Sequence, residues 1–291
     1  MLTAETERQM REGERGWRGS SVMTNIEGSA LAAIQVEREE VQTAGTVWPT
    51  TTVVIPAHNE EEGIAVVLRE LLAVIDDSYE VLVLDDGSND RTREAASSFA
   101  CRVVSHEMRR GKGEAMKTAI RVAKGRNIVF VDADGSYPAT VIPEIGRALE
   151  EYDLVVASRM AGNENVPAFN RIGNWVFRNG IRHIYGFKPH DPLTGLYGLS
   201  KAQLLHMNLR SAGFGIEAEI AIKAARRGLR MLDIPIEYRP RIGQAKLHGI
   251  KDGFRILLTI ICQLPSYRPR LCFLLAGLSV APAGGILWLL F

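Results

Sequence analysis

Two carboxylates separated by one alanine, Asp132 and Asp134, close the apolar run Ile128-Val129-Phe130-Val131 and are followed by Gly135. A run of β-branched and aromatic residues predicts a buried strand, and the open end of such a strand is where α/β sheets bind ligands. Carboxylates are natural ligands of Mg2+ or Mn2+, and such an ion can hold a diphosphate and neutralise it as it leaves. A bare Asp-x-Asp reads equally well as a solvated turn, so its meaning depends on what else reaches the same place. Three other strand ends carry residues of the same kind: Pro56 to Glu60, Asp85 with Asp86, and Ser158 with Arg159. Lys112 stands between two glycines in a loop opening onto a helix, which suits a phosphate; its plain reading is a solvated lysine.

Together these residues outline a nucleotide-diphosphate pocket. Asp134, helped by Asp132, is the candidate metal contact. Asp86, further past its strand than Asp85, is the candidate for the base or ribose. The second half of the chain adds the cations Arg159, Arg171, Arg241 and Lys246, which suit an anionic lipid headgroup or, more plainly, a general interfacial charge patch against anionic lipid. Gly111-Lys112-Gly113 matches neither the P-loop nor the dinucleotide fingerprint, which weighs against an ATPase or a dehydrogenase. No Gly-x-Ser-x-Gly occurs, and the six histidines have no metal-ligand spacing; His58 is the one beside a strand end.

The elements that must position these groups follow from periodicity. Strands are expected at 51–56, 79–84, 101–105, 127–131 and 154–157, separated by helices. Asn59 is a candidate cap for the first helix, whose inner face is read as Val66, Val67, Leu71 and Leu72. This alternation predicts βαβ units and a mostly parallel sheet. Beyond Arg159 the pattern loosens into a helix at 170–185, the polar loop Asp191-Pro192-Leu193-Thr194-Gly195, a short strand at 196–199, a helix at 214–226 and an extended stretch at 231–238.

Charged residues make up 24% of the 291-residue chain and the net charge is +1, so no nucleic-acid partner is expected. Cys101, Cys262 and Cys272 are unpaired in spacing and fit neither a disulfide framework nor a zinc site. Residues 1–49 read as a flexible leader without a secretory h-region, and 50–250 as the catalytic domain. A juxtamembrane amphipathic helix is expected at 251–265, ended by Pro265. The uncharged stretch 271–291 has the length of one transmembrane segment. Arg268 and Arg270 before it would leave the catalytic domain facing the cytoplasm. The composition leaves room for a homo-oligomer.

The motifs Val53-Val54-Ile55-Pro56-Ala57-His58-Asn59-Glu60, Leu84-Asp85-Asp86-Gly87-Ser88, Arg110-Gly111-Lys112-Gly113, Asp132-Ala133-Asp134-Gly135, Asp191-Pro192-Leu193-Thr194-Gly195 and Arg241-Ile242-Gly243-Gln244-Ala245-Lys246-Leu247 span residues 51 to 253. In combination they resemble the family 2 glycosyltransferases, specifically the dolichol-phosphate and polyprenyl-phosphate mannosyl- or glucosyltransferases. The resemblance implies the Rossmann-like GT-A fold and an inverting transfer of a hexose from a nucleotide sugar to a polyprenyl phosphate at a membrane. It implies that Pro56, Glu60 and Asp86 hold the nucleoside and that Asp132 and Asp134 serve Mg2+ or Mn2+. Arg171, Arg241 and Lys246 would serve the phosphates of donor and acceptor, and Asp191 would lie near the sugar. His58 stands where the family more often has tyrosine, and Ala245 where a serine usually precedes the lysine. The rival readings are a family 2 enzyme with another lipid or saccharide acceptor, a sugar-phosphate nucleotidyltransferase, and a catalytically silent membrane scaffold.

Overall fold

In the structure, a computed structural model, the described residues are 49–161, 168–244, 249–267 and 269–270. The chain divides into the units Met1–Val47 and Trp48–Phe291, and all described residues belong to the second. The expected leader, Lys246 and the stretch 271–291 lie outside the described residues.

The strands are β1 (Thr51–Ala57), β2 (Tyr79–Asp85), β3 (Arg102–Ser105), β4 (Asn127–Phe130), β5 (Leu154–Ala161), β6 (Tyr197–Ser200) and β7 (Met231–Glu237). They form one sheet in the order β3-β2-β1-β4-β6-β5-β7. Between them run α1 (Glu61–Leu72), α2 (Thr92–Ser97), α3 (Lys112–Val122), α4 (Ile142–Ala148), α5 (Ala168–Tyr185), α6 (Lys201–His206) and α7 (Ile216–Arg226), with α8 (Gly249–Tyr267) after β7. Successive strand residues point to opposite faces, and here both faces are core. Val53, Ile55, Val81, Val83 and Val129 pack under α1 and α4, while Val54, Leu82, Leu84, Ile128 and Phe130 pack under α3, α7 and α8. Burial on both sides is why these strands are continuous apolar runs rather than alternating ones.

The mostly parallel sheet expected from the sequence is corrected to a mixed one. β1 pairs in parallel with β2 and β4, β2 with β3, and β5 with β7, but β6 is antiparallel to both β4 and β5. β5 leads to β6 through α5 and the Asp191–Gly195 loop, and β6 then enters the gap between β4 and β5 antiparallel to both.

Two helix details also differ. Asn59 does not cap α1, because its side chain accepts from the Asn89 amide at 2.8 Å and its own backbone sits at φ 53°. The buried face of α1 is Gly63, Ile64, Val67, Leu68 and Leu71, with Val66 turned outward. At the other end of the chain, α8 runs through Pro265, which falls in its last turns rather than ending it.

α8 covers the expected juxtamembrane helix at 251–265. Ile256 and Ile260 are buried in the core, and the Tyr185 hydroxyl donates to the Ile260 carbonyl, so part of its apolar surface is used by α5 and α7. Among the described residues no helix is long and apolar enough to cross a membrane. No described helix supplies the expected transmembrane anchor, and the expectations of a membrane-lipid partner with polyprenyl phosphate and a cytoplasm-facing membrane location are corrected to that extent; the stretch 271–291, on which the transmembrane expectation falls, lies outside the described residues.

Candidate active site

β4 ends at Phe130, and the chain then turns through Asp132 and Asp134. Gly135, at φ 73°, lets the backbone reverse where a side chain would be strained. α1 backs directly onto this turn: a Cβ at Gly63 would meet the Ala133 carbonyl at 2.5 Å, so a residue without one is needed there. Asp134 is buried, and its Oδ1 accepts from the Ser136 amide at 3.0 Å and from the Ser136 hydroxyl at 2.5 Å. Burial and the neighbouring Asp132 charge push the Asp134 carboxyl above its ordinary range, against the opposing pull of Ser136 and Arg241.

Lys112 begins α3 and reaches across to this turn. Its ammonium lies 2.6 Å from Asp132 Oδ1 and 2.6 Å from Glu217 Oε1, and 5.9 Å from the centroid of the Phe214 ring. It is therefore not the solvated lysine of the plain reading. Burial works against its charge, but the two carboxylates outweigh it and hold the ammonium well above its usual range. Glu217, in the first turn of α7, is itself buried; burial raises its carboxyl and Lys112 opposes the rise. The Tyr197 hydroxyl is buried in the same electrostatic environment without a hydrogen-bond partner among the described residues.

The loop after β7 supplies a second cation. Arg241 Nη1 donates to Asp134 Oδ2 at 2.8 Å, and Nη2 donates to Glu60 Oε1 at the end of β1. Lys112 and Arg241 thus face Asp132, Asp134, Glu60 and Glu217, leaving the cluster with an excess of two negative charges when its carboxylates are ionised.

Asp86 is placed differently from its expected ligand-facing role. Its Oδ2 accepts from the Gly111 amide at 2.7 Å, its Oδ1 from the Arg110 amide at 2.8 Å, and His106 Nδ1 lies 2.8 Å from Oδ1. The side chain therefore shapes the loop that delivers Lys112. His58 Nδ1 donates to the Asp86 carbonyl at 2.9 Å, locking the ends of β1 and β2 together.

Asp191 is buried and takes Arg159 through two oxygens, at 2.5 and 3.0 Å. Its amide donates to Ser158 Oγ at 3.1 Å, and that hydroxyl donates in turn to Asp233. Pro56 is half-buried in β1, opposite Leu84. Arg171 is exposed on α5, and no ion pair among the described residues includes it. The structure thus brings Lys112 onto Asp132 and Arg241 onto Asp134 and Glu60, two ion-pair groups on one turn, and ties Asp86 to the first through the loop that leads into Lys112. It adds Glu217, whose only sequence signal is that it is one of two acids in the otherwise apolar run Ile216 to Ile222.

Among the described residues no group of three or more His, Cys, Asp or Glu side chains converges as a metal cage. Mg2+ and Mn2+ fit this arrangement nonetheless, since such ions are commonly held by one or two carboxylates plus substrate phosphates. The excess negative charge, and a guanidinium already resting on Asp134, mark a place that takes a cation.

A parallel half-sheet with carboxylates and cations clustered at its strand ends, joined to a mixed half, is an α/β architecture that binds ligands at those ends. Residues 52–202 match Glycosyl transferase family 2. The chain is 33% identical over 211 residues to a dolichyl-phosphate hexose transferase of Haloferax volcanii, covering 72% of this chain and 91% of that protein. It is 30% identical over 216 residues to a dolichol-phosphate mannosyltransferase of Pyrococcus furiosus, covering 68% of this chain and 59% of that one. The crystal structure of glucosyl-3-phosphoglycerate synthase from Mycobacterium tuberculosis, in complex with Mn2+, UDP and glucosyl-3-phosphoglycerate, superposes with a TM-score of 0.61. The two share 26% identity over 74% of this chain and 80% of that one. The chain belongs to glycosyltransferase family 2 and is a metal-dependent, nucleotide-sugar-dependent glycosyltransferase of GT-A type.

Proposed function

We propose that this enzyme moves one hexose from a nucleotide sugar to an acceptor that carries a phosphate, with inversion at the anomeric carbon. The observation that carries the reading is the pair Asp132 and Asp134, held between Lys112 and Arg241 at the end of β4. A Mg2+ or Mn2+ ion bound there with the donor would neutralise the departing diphosphate. Lys112 and Arg241 are suited to the diphosphate oxygens, Glu60 and Pro56 to the nucleoside, and Asp86 to holding the Lys112 loop in place. Asp191, fixed by Arg159, and Glu217 offer acceptors for sugar hydroxyls. Arg171 and Lys246 are assigned to the acceptor phosphate. In the transfer the acceptor oxygen forms a bond to the anomeric carbon as the bond to the diphosphate oxygen breaks on the opposite face.

Both named chemistries among the relatives, dolichyl phosphate and 3-phosphoglycerate, include a phosphate, and this supports the acceptor class. The test is transfer of radiolabelled glucose from UDP-glucose and mannose from GDP-mannose, with Mn2+, to 3-phosphoglycerate, to dolichyl phosphate in detergent and to a neutral disaccharide. Label on a phosphate-bearing acceptor is expected. Label on the neutral disaccharide alone would refute the acceptor class, and no transfer from any donor would refute the reading as a whole.

A further inference from the structure

The segment following β7 folds back over the turn that carries Asp134. The Arg239 amide donates to the Ser136 carbonyl and the Ile242 amide to the Asp134 carbonyl, each at 2.9 Å. Arg239 also grips Glu70 through both carboxylate oxygens, at 3.0 and 2.9 Å. The Ile242 side chain lies against Gly135, where even a Cβ would crowd it. Between these anchors Arg241 turns inward onto Asp134 and Glu60, residues from the ends of two different strands.

Asp134 has two oxygens, and the protein has committed both. Oδ1 belongs to Ser136, and Oδ2 belongs to Arg241. A divalent cation reaching Asp134 therefore needs the oxygen that the guanidinium holds, and two cations on one carboxylate oxygen repel. The Arg241 ion pairs are also incompletely matched: Nε is buried and has no hydrogen-bond partner among the described residues, although a guanidinium normally uses its donors as a fork. The backbone bonds and the Arg239–Glu70 pair would hold the strap in place while the Arg241 side chain alone swings away.

We propose that Arg241 is an internal cation that pairs with Asp134 when no divalent ion is bound and gives it up when one arrives. This rests on the reading of Asp132 and Asp134 as metal ligands. It makes metal binding a displacement, so that the buried Asp134 carboxylate keeps a counter-charge between turnovers. It also frees Arg241 for the diphosphate at the moment metal and donor are present.

The test uses the full chain without nucleotide and reads Mn2+ binding by the electron paramagnetic resonance signal of free Mn2+. Arg241→Ala and Arg241→Gln should each bind Mn2+ at least ~10-fold tighter than the parent, because a charge-assisted hydrogen bond no longer competes. Adding Asp134→Asn to either should remove the gain. The Gln variant keeps part of the side chain and a donor, so it answers the question if the Ala variant does not fold. Unchanged or weaker Mn2+ binding in the Arg241 variants would overturn the displacement proposal while leaving the metal reading intact. Absence of Mn2+ binding in every protein, with UDP or GDP added, would overturn the metal reading and this proposal with it.

Discussion

Lys112→Met removes the cation from between Asp132 and Glu217 while nearly preserving side-chain volume. Lys112 sits 2.6 Å from each carboxylate, and their side chains are 27% and 7% exposed. Asp132 can recover much of its hydration, so the cost falls mainly on Glu217. Leaving one partner of a buried pair uncompensated costs roughly 3–5 kcal/mol. The loss is limited by proton uptake. Burial already raises the Glu217 carboxyl, and without Lys112 to oppose it the rise is larger. A carboxyl whose folded pKa lies above its unfolded value of 4.5 binds its proton more tightly in the folded state. It therefore lowers stability as pH rises through the window between those two values. The gap between Lys112→Met and the parent should be widest near pH 8 and narrow toward pH 5. Lys112→Met with Glu217→Gln should regain most of the loss at pH 8, because the unpaired charge is gone. Urea unfolding followed by circular dichroism at both pH values measures all of this. A single-variant loss independent of pH, or no recovery in the double variant, would refute the buried-charge account.

Three further perturbations test other parts of the frame. Glu80 feels a burial penalty, but its bonds from the Thr52 hydroxyl, the Lys124 amide and Arg102 outweigh it and hold its carboxyl below the usual range. Its stabilising contribution is thus present above the unfolded value of 4.5 and lost as pH falls through the depressed folded value. Glu80→Gln should cost about 1–2 kcal/mol at pH 7 in urea melts and converge with the parent in acid. Gly195→Ala would drive a methyl into the Asp132 carboxylate; turnover should drop roughly 10- to 100-fold in a donor-consumption assay, with a smaller change in the melting temperature. Asp86→Ala should release the Arg110 and Gly111 amides, cost about 2–3 kcal/mol, and make the Arg109-Arg110 bonds the first cut by trypsin in limited proteolysis.

What could be read from the sequence depended on whether a feature was local. β1, β2 and β4 announce themselves because both their faces are buried, so Val53 to Ile55 and Ile128 to Phe130 are unbroken apolar runs. The position of Asp132 and Asp134 follows directly from the end of such a run. β6 was legible as a strand but not in its direction, since four residues around Gly198 say nothing about which neighbours they join. Arg241 and Glu60 are 181 positions apart, and Glu217 meets Lys112 only because α7 packs beside α3's entry; no spacing rule reaches that far. Asn59 had the right chemistry for a cap, and a tertiary bond from Asn89 took it. In α8, Ile256 and Ile260 are used in the core while Phe254, Leu258 and Ile261 are exposed, a division that apolar content alone does not show.

The most direct measurement of the central claim is release of nucleoside diphosphate from UDP-glucose and GDP-mannose by the purified full chain, with and without Mn2+, beside Asp134→Asn. Metal-dependent release from at least one donor, reduced by on the order of 100-fold or more in Asp134→Asn, is the predicted result. Release that ignores Mn2+ and survives Asp134→Asn undiminished would contradict the assignment of catalysis to the end of β4.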